Sequence, residues 1–168
     1  LLAWPSVALT VVAAAYLRLG GVVYGKRRDR LAGGARWLLA PERLGHTLAH
    51  RWFATKNPVC RLTPAVWFGP WPGPAFSRRL RAAGVTAVVD LAAELPPSPL
   101  SVGVPTLQVP LLDLATPPLQ ALREAASFIT ARSRDGVVYV HCKAGHHRSA
   151  AVAGAWLLLS GRAHGVDE

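Results

Sequence analysis

A cysteine and an arginine stand six positions apart between two apolar segments near the C-terminal end of the sequence. The first segment, Val137–Val140, is rich in β-branched residues and typical of a buried strand, and the second, from Arg148 to Ser160, predicts a core helix. Unpaired N–H groups and a partial positive charge at a helix N-terminus favour bound anions. The loop around Cys142 is therefore predicted to bind an oxyanion next to a thiol.

Each residue type in this loop suits that chemistry. Cys142 supplies a nucleophile once its thiol is ionised, and a helix N-terminus favours the ionised form. The planar fork of Arg148 holds two oxygens of a phosphate group at once. Gly145 lets the backbone curl so that its N–H groups converge. Ser149 is expected to donate a hydrogen bond to the sulfur. His141 is counted among the substrate-binding residues and is expected to orient the loop by hydrogen bonding.

The remaining loop residues are predicted to contact the substrate. Lys143, His146 and His147 add cationic or polar side chains beside the bound phosphate, and Ala144 contributes backbone. His146 and His147 are adjacent in the sequence, which does not suit the ligation of one metal ion, and no third ligand accompanies them. Solvent exposure without a role is the alternative for both histidines and for Lys143. We therefore expect no metal site and no cofactor.

The whole stretch VYVHCKAGHHRSAA resembles the signature H-C-x5-R-S/T of the protein tyrosine phosphatase superfamily. The short spacing of the elements is similar to the dual-specificity branch. Within that branch, HCKAG resembles the lipid-directed members, namely phosphoinositide 3-phosphatases and mitochondrial phosphatidylglycerophosphate phosphatases. The resemblance runs from roughly Leu62 to Glu168. It implies a phosphocysteine formed on Cys142 without a metal, and an aspartate acting as general acid on a movable loop ahead of the signature.

Three carboxylates are available for the role of general acid. Most of the nine acidic residues are expected to lie before the domain, within a helix or turn, or at the end of the chain, which leaves Asp90, Glu94 and Asp113. Asp113 follows a short strand at the place where the family carries its acid loop, and it is our first choice. We expect Asp90 to cap the end of a strand, and we keep Glu94 in reserve.

Hydrophobic patterning predicts an α/β fold with a mostly parallel central sheet flanked by helices. The alternation of strand and helix patterns begins near Leu62 and shows no internal repeat. A helix is expected to begin at Thr116 and Pro117, because a capping hydroxyl precedes a proline there. The other predicted elements are strands at Ala65–Phe68, Val85–Val89 and Leu107–Val109, and a helix at Phe76–Ala83 that ends at Gly84.

Residues 1–25 predict a membrane anchor. The first 17 residues carry no charge, and about 20 apolar residues are needed to cross the hydrocarbon core of a bilayer. Positive charges follow directly at Lys26, Arg27, Arg28 and Arg30, which places the catalytic domain on the cytoplasmic side. A buried helix of a soluble fold is the alternative. The predicted organisation is an anchor at 1–25, a basic bridge at 26–61 and a catalytic domain at 62–168.

Within the bridge, the segment from Pro41 to Phe53 has the pattern of an amphipathic helix. Leu44, Leu48 and Trp52 recur every four residues, while His46, His50 and Arg51 fall on other faces. Such a helix suits a membrane surface. A helix packed on the catalytic domain explains the pattern equally well.

Composition limits the partners. The chain has 19 basic and 9 acidic residues, a net charge of +10, which favours anionic partners. No nucleic-acid motif accompanies this charge, so nucleic acid is not expected. Two cysteines are too few for a disulfide framework and indicate a reducing compartment, with Cys60 either structural or a redox partner of Cys142. The chain begins at Leu1 and contains no methionine, and we expect a fragment of a longer product, truncated at its C-terminus.

These features favour a membrane-anchored phosphatase acting on phosphorylated proteins. The nearer alternative keeps the chemistry and takes an anionic phospholipid, either phosphatidylglycerophosphate or a phosphoinositide, as the substrate. The more distant alternative is a module that binds phosphate without catalysis. An intact cysteine, arginine and acid argue against that module, because binding alone requires neither a thiol nor an acid.

Overall fold

The structure is a computed structural model, and it describes residues 3–26, 33–42, 44–46 and 59–165. Strand β1 runs over Cys60–Thr63, β2 over Val66–Gly69, β3 over Val85–Ala92, β4 over Thr106–Leu111 and β5 over Val137–His141. Helix α1 covers Ala3–Ala14, α2 covers Gly33–Leu38, α3 covers Pro74–Ala82, α4 covers Leu119–Arg132 and α5 covers His147–Leu159. Residues 40–42 and 44–46 are also helical.

The five described strands form one sheet in the order β1-β2-β5-β3-β4. Strand β1 is antiparallel to β2, and the other neighbouring pairs are parallel. The predicted mostly parallel sheet flanked by helices is thereby confirmed. Parallel strands buried on both faces read as continuous apolar runs, as in β3 and β5. The carboxyl ends of β3, β4 and β5 lie at one edge of the sheet, where ligands bind in such folds.

Strand β3 is longer than predicted. We expected it to end before Asp90, with that residue as its cap, but the strand continues to Ala92 and Asp90 is completely buried inside it. A carboxylate is costly to bury unless it is paired. Lys26 provides the partner from outside the sheet, at 2.8 Å. The position of Asp90 as a strand cap is therefore wrong.

The predicted helix start at Thr116 and Pro117 is also wrong. Helix α4 begins at Leu119, with Pro118 as the residue before its first turn. A residue that precedes a proline is pushed away from helical backbone angles. Pro117 precedes Pro118, so the second proline delays the helix.

Other element boundaries differ from the predictions by a few residues. Strand β2 begins at Val66 rather than Ala65, β4 extends beyond the predicted Leu107–Val109, and α3 begins at Pro74. Gly84 follows α3 with a φ of 96°, as a C-terminal cap requires. Helix α5 packs Val152 and Trp156 into the core, but its end is exposed at Leu159.

An apolar helical run precedes the sheet. Helix α1 continues through a π turn and a 3₁₀ turn to Tyr24, which gives 22 residues that include an 18-residue stretch with a mean hydropathy of 1.8. This is long and apolar enough to cross a membrane, although a core helix or a signal sequence passes the same test. Its small buried residues, including Ala8 and Ala15, belong to one apolar cluster with Leu39, Ala93 and Leu112. Its outer face exposes Trp4, Val7, Leu9, Tyr16, Leu17, Leu19 and Val22.

The close fit of this run depends on one glycine. A Cβ atom at Gly21 would lie 2.1 Å from the carbonyl oxygen of Pro110, so only glycine allows the helical run to approach β4 this closely. Of the basic residues predicted to flank a membrane, Lys26 is buried with 1% of its side chain exposed, and is therefore no surface charge. The predictions for Arg27, Arg28 and Arg30, and those for Leu48, His50, Arg51 and Trp52, lie outside the described residues.

Candidate active site

The predicted phosphate-binding loop joins β5 to α5 at the carboxyl edge of the sheet. Strand β5 ends at His141, and α5 begins at His147. Cys142 stands at the start of the loop, with 2% of its surface exposed. The backbone N–H of Gly145 points at the Cys142 sulfur, at an N···Sγ distance of 3.3 Å. The sulfur therefore accepts a hydrogen bond from the backbone of its own loop.

The loop is shaped by its fit against the segment after β2. Gly145 has a φ of 80°, and a Cβ atom there would lie 2.4 Å from the carbonyl carbon of Gly69. The Tyr139 hydroxyl donates a hydrogen bond to the Pro70 carbonyl oxygen at 2.9 Å. The Trp71 backbone N–H donates to the Lys143 carbonyl oxygen at 3.2 Å. Gly145 is therefore required both for its backbone angle and for this close packing.

Arg148 is fully buried and held in place before any substrate arrives. Both of its terminal nitrogens donate to the carboxylate of Glu94, at 2.8 and 2.7 Å, and one also donates to the Leu111 carbonyl oxygen at 2.8 Å. Burial alone would lower the pKa of Arg148, but Glu94 outweighs burial and raises it. The Nε atom is buried and has no hydrogen-bond partner among the described residues. It remains available as a donor to a phosphate oxygen.

Glu94 is thus the partner of Arg148 rather than a proton donor. Burial raises its pKa, but the hydrogen bonds and charge of Arg148 outweigh burial and hold the pKa below its usual range. Sequence reasoning kept this residue only as a reserve acid. The signal for its role was its position just beyond β3, since a carboxylate there lies at the same edge of the sheet as the loop.

Asp113 lies in the loop after β4, and its carboxylate faces Lys143 and Arg148 of the phosphate-binding loop. Its carboxylate is 2.8 Å from the Lys143 ammonium and 3.3 Å from a terminal nitrogen of Arg148. Burial raises the pKa of Asp113, but the hydrogen bond from Lys143 and the charge of Arg148 outweigh burial and leave the pKa below its usual range. Its carbonyl oxygen accepts a hydrogen bond from the Tyr16 hydroxyl at 3.0 Å. The first choice for the general acid therefore lies beside the loop.

A second buried ion pair lies beneath the loop. Lys26 donates to Asp90 at 2.8 Å and also to the carbonyl oxygen of Ala92. Asp90 is 3.8 Å from Nδ1 of His141, whose ring is completely buried. Burial lowers the pKa of His141 to about 4, so the ring is neutral near neutral pH. The ring of His141 is completely buried, as Arg148 is. Its place in the substrate site and its role in orienting the loop both stay predictions.

The other predicted residues are placed as follows. His146 and His147 are exposed at the start of α5, and Lys143 and Ala144 are partly buried. Ser149 is buried, and its hydroxyl makes no hydrogen bond to any residue that the structure describes. Its predicted bond to the Cys142 sulfur is thus not formed in this structure. No group of three or more potential metal ligands occurs within the described ranges.

Cys60 is poorly placed as a redox partner of Cys142. It lies on the edge strand β1, where it pairs with Phe68, and Phe68 pairs with Val140 on β5. Two strand spacings separate Cys60 from β5 by about 9–10 Å. A disulfide needs Cα atoms within roughly 7 Å. The redox alternative is therefore wrong for this folded state.

Known proteins share this arrangement. The family model described as "Dual specificity phosphatase, catalytic domain" matches residues 66–165. Mouse dual specificity phosphatase 28 is 34% identical over 116 residues, which cover 68% of this chain and 70% of that protein. The structure of human DUSP28 superimposes with a TM-score of 0.55 at 31% identity, covering 63% of this chain and 72% of the other. The structure of PTPMT1 superimposes with a TM-score of 0.54 at 26% identity, covering 63% of this chain and 74% of the other. With the loop geometry, these matches show that the chain belongs to the dual-specificity phosphatase family and is a phosphoric monoester hydrolase of the protein phosphatase type.

Proposed function

We propose that the chain removes phosphate from phosphorylated proteins through a covalent phosphocysteine intermediate. The proposal rests on one observation, which is that the buried Cys142 sulfur and the buried Arg148 side chain belong to the same loop. The Gly145 N–H points at the Cys142 sulfur, and Arg148 is held by Glu94 with its Nε atom unpartnered among the described residues. A thiolate and a preorganised guanidinium at one phosphate site are the requirements of this chemistry.

In the first step, the Cys142 thiolate attacks phosphorus in line with the leaving oxygen. An S–P bond forms and the P–O bond of the ester breaks, while Arg148 and the loop amides hold the three equatorial oxygens. Asp113 donates its proton to the leaving oxygen. Asp113 must first gain that proton, and the negative charge of a bound phosphate favours this by raising its pKa.

In the second step, a water molecule attacks the phosphorus of the phosphocysteine. Asp113, now ionised, accepts a proton from this water. The P–O bond to water forms, the S–P bond breaks, and inorganic phosphate leaves while the Cys142 thiolate is regenerated. Atoms and charges therefore balance without any further reactant.

A parallel turnover assay tests the proposal. Phosphotyrosine peptide, phosphothreonine peptide, an aryl phosphate and anionic phospholipid vesicles are each incubated with reduced protein and a metal chelator. We expect release of inorganic phosphate from the aryl phosphate and from at least one peptide. Absence of release from every phosphomonoester would overturn the proposal, and turnover of the lipid alone would favour the second candidate below.

Replacement of Asp113 with asparagine should affect substrates according to their leaving groups. Asparagine cannot donate the proton, so kcat for an alkyl phosphate is expected to fall by about 10²–10⁴-fold, the usual contribution of a general acid. An aryl phosphate with a good leaving group needs little protonation and should lose much less. Steady-state kinetics on both substrates measure the difference, and equal losses would mean that Asp113 has a structural role.

A phospholipid headgroup is the second candidate substrate, and a specific surface favours it. Leu114, directly after Asp113, is 82% exposed. The N-terminal helical run packs its inner side near the same loop, in one cluster with Leu112 and Ala115, and leaves apolar side chains exposed on its outer side. An exposed apolar surface of this kind marks interaction with a membrane or a protein. Lys143 and His146 lie in the loop and add positive charge or polarity that suits an anionic headgroup.

Loss of these two side chains should therefore separate the substrates. Lys143→Ala and His146→Ala are expected to reduce kcat/KM on anionic lipid by roughly three- to tenfold more than on an aryl phosphate, through lost electrostatic complementarity. Both measurements use one ionic strength, because salt screens exposed charges. Parallel losses on both substrates would mean that the two residues only shape the loop.

Membrane association of the full chain is also expected if the substrate is a phospholipid. The apolar helical run at the N-terminus should keep the chain in the membrane fraction through washes with high salt and with carbonate, since burial of apolar area resists both. Sedimentation of washed membranes measures this, and protease protection of intact vesicles reports on which side the catalytic domain lies. Release by salt alone would indicate a peripheral attachment driven by charge, and the spanning interpretation would be wrong.

A further inference from the structure

Three residues from the N-terminal part of the chain form a polar chain that reaches the catalytic loop. The Tyr24 hydroxyl donates to a carboxylate oxygen of Glu42 at 2.8 Å. The same carboxylate oxygen pairs with Nε2 of His46. Nδ1 of His46 lies 3.1 Å from the Lys143 ammonium. All three residues precede the segment 66–165 that matches the family domain, so this contact adds an element to the site from outside that domain.

Hydrogen-bond chemistry determines how these groups are arranged. An ammonium has donors only, so Nδ1 of His46 must be the acceptor of a hydrogen bond from Lys143. The ring proton then resides on Nε2 and is donated to the Glu42 carboxylate. The side chain of Glu42 is only 11% exposed, and Tyr24 holds it from the other side. A carboxylate thus orients an imidazole, which in turn orients the ammonium.

The contacts of the Lys143 ammonium include Asp113 and His46. It lies 2.8 Å from Asp113 and 3.1 Å from His46, with 13% of its side chain exposed. The proposed reaction requires Asp113 to become protonated, and a neutral carboxyl no longer forms an ion pair with Lys143. Lys143 has a flexible four-carbon stem and loses rotamer freedom when it is held. At that stage His46 still contacts the ammonium at the rim of the loop.

We propose that His46, oriented by Glu42, is a positioning residue that holds Lys143 beside the phosphate-binding loop and thereby favours phosphate esters that carry a second negative charge next to the reacting phosphate. The inference rests on the proposed function, because it assigns a substrate preference to the same site. A neutral imidazole holds the ammonium without cancelling its charge. Once Asp113 is protonated, the ammonium that His46 holds can attract a flanking anionic group.

Binding of two inorganic anions tests this without turnover. In the Cys142→Ser background, calorimetry gives the Kd of inorganic phosphate and of pyrophosphate, whose second phosphoryl group provides the flanking charge. His46→Ala is expected to weaken pyrophosphate binding by roughly three- to tenfold more than phosphate binding, the size expected for the lost ordering of one long side chain. His46→Asn keeps an acceptor near the position of Nδ1 and should recover part of the loss.

A double-mutant cycle separates positioning from a general structural effect. In the Lys143→Ala background, His46→Ala should leave the ratio of the two affinities unchanged, because the ammonium that it positions is absent. His164→Ala, a histidine change in the exposed segment after α5, serves as the control and should not alter the ratio. Thermal melting of each variant confirms folding.

Two results would overturn the inference. One is an equal weakening of phosphate binding and pyrophosphate binding by His46→Ala. The other is a change in the affinity ratio caused by His46→Ala that is as large in the Lys143→Ala background as in its absence. Failure of the proposed function is seen separately, as the absence of turnover by the unmodified chain. The ratio of the two affinities tests the positioning role of His46 whether or not the chain turns over a substrate.

Discussion

Cys142→Ser is expected to lower kcat on an aryl phosphate by roughly four or more orders of magnitude, the scale of loss when a covalent nucleophile is removed. A serine hydroxyl stays protonated near neutral pH, and the Gly145 N–H that faces the sulfur does not supply a base. Phosphate-ester affinity should persist, because Arg148 remains held by Glu94 and the loop amides are unchanged. Steady-state kinetics measure the first effect and calorimetry with inorganic phosphate the second.

The matched control for this change is Cys60→Ser. Cys60 is exposed on the edge strand β1, so its replacement should leave kcat within about twofold of the unmodified chain, as for most surface changes. Acid quenching of the unmodified chain with a labelled substrate should also retain label on Cys142, and the serine variant should retain none. Turnover by Cys142→Ser at a rate near that of the unmodified chain would end the phosphocysteine mechanism.

Lys26→Ala should destabilise the fold by about 3–5 kcal/mol, the usual result of breaking a buried ion pair on one side. Lys26 lies 2.8 Å from Asp90, and their side chains are 1% and 0% exposed. Removal of the ammonium leaves a carboxylate buried in the interior strand β3 without its partner. Urea denaturation followed by tryptophan fluorescence measures the free energy of unfolding.

A second variant identifies the cause of this loss. Asp90→Asn combined with Lys26→Ala removes both charges, so the double variant is expected to be more stable than Lys26→Ala alone. Arg78→Ala removes an exposed positive charge from α3 and should change stability by no more than about 0.5 kcal/mol. A loss for Lys26→Ala as small as that of Arg78→Ala would mean that the buried pair does not stabilise the fold.

The Lys26 pair also changes the interpretation of the N-terminal part of the chain. Sequence patterning separated an anchor and a basic bridge from the catalytic domain. In the structure, Gly21 fits against Pro110, Tyr16 contacts Asp113 and Lys26 pairs with Asp90, so this part of the chain packs on the same segments that carry the site. The inner face of the run therefore packs on the folded domain, as the alternative interpretation had it. The exposed apolar face is still the part that we expect to contact a membrane.

Local sequence determined the catalytic loop and the class of fold. The loop lies within nine consecutive residues, and its strand and helix follow each other directly, so type and spacing alone predicted how Cys142 and Arg148 come together. The alternation of strand segments with helix segments predicted the mostly parallel sheet for the same reason, since the hydrophobic pattern of each segment is a local property. Asp113 could be chosen because acidic residues are few in this sequence and the family resemblance indicates where the acid loop lies.

Only the tertiary structure decided which charges pair. Arg148 and Glu94 are 54 residues apart, Lys26 and Asp90 are 64 apart, and Lys143 and His46 are 97 apart. No periodicity links residues at such separations, because these contacts form only when the sheet assembles and the N-terminal part packs against it. The end of β3 depends on the same contacts, since a charged residue continues a buried strand only where a partner from elsewhere in the chain neutralises it.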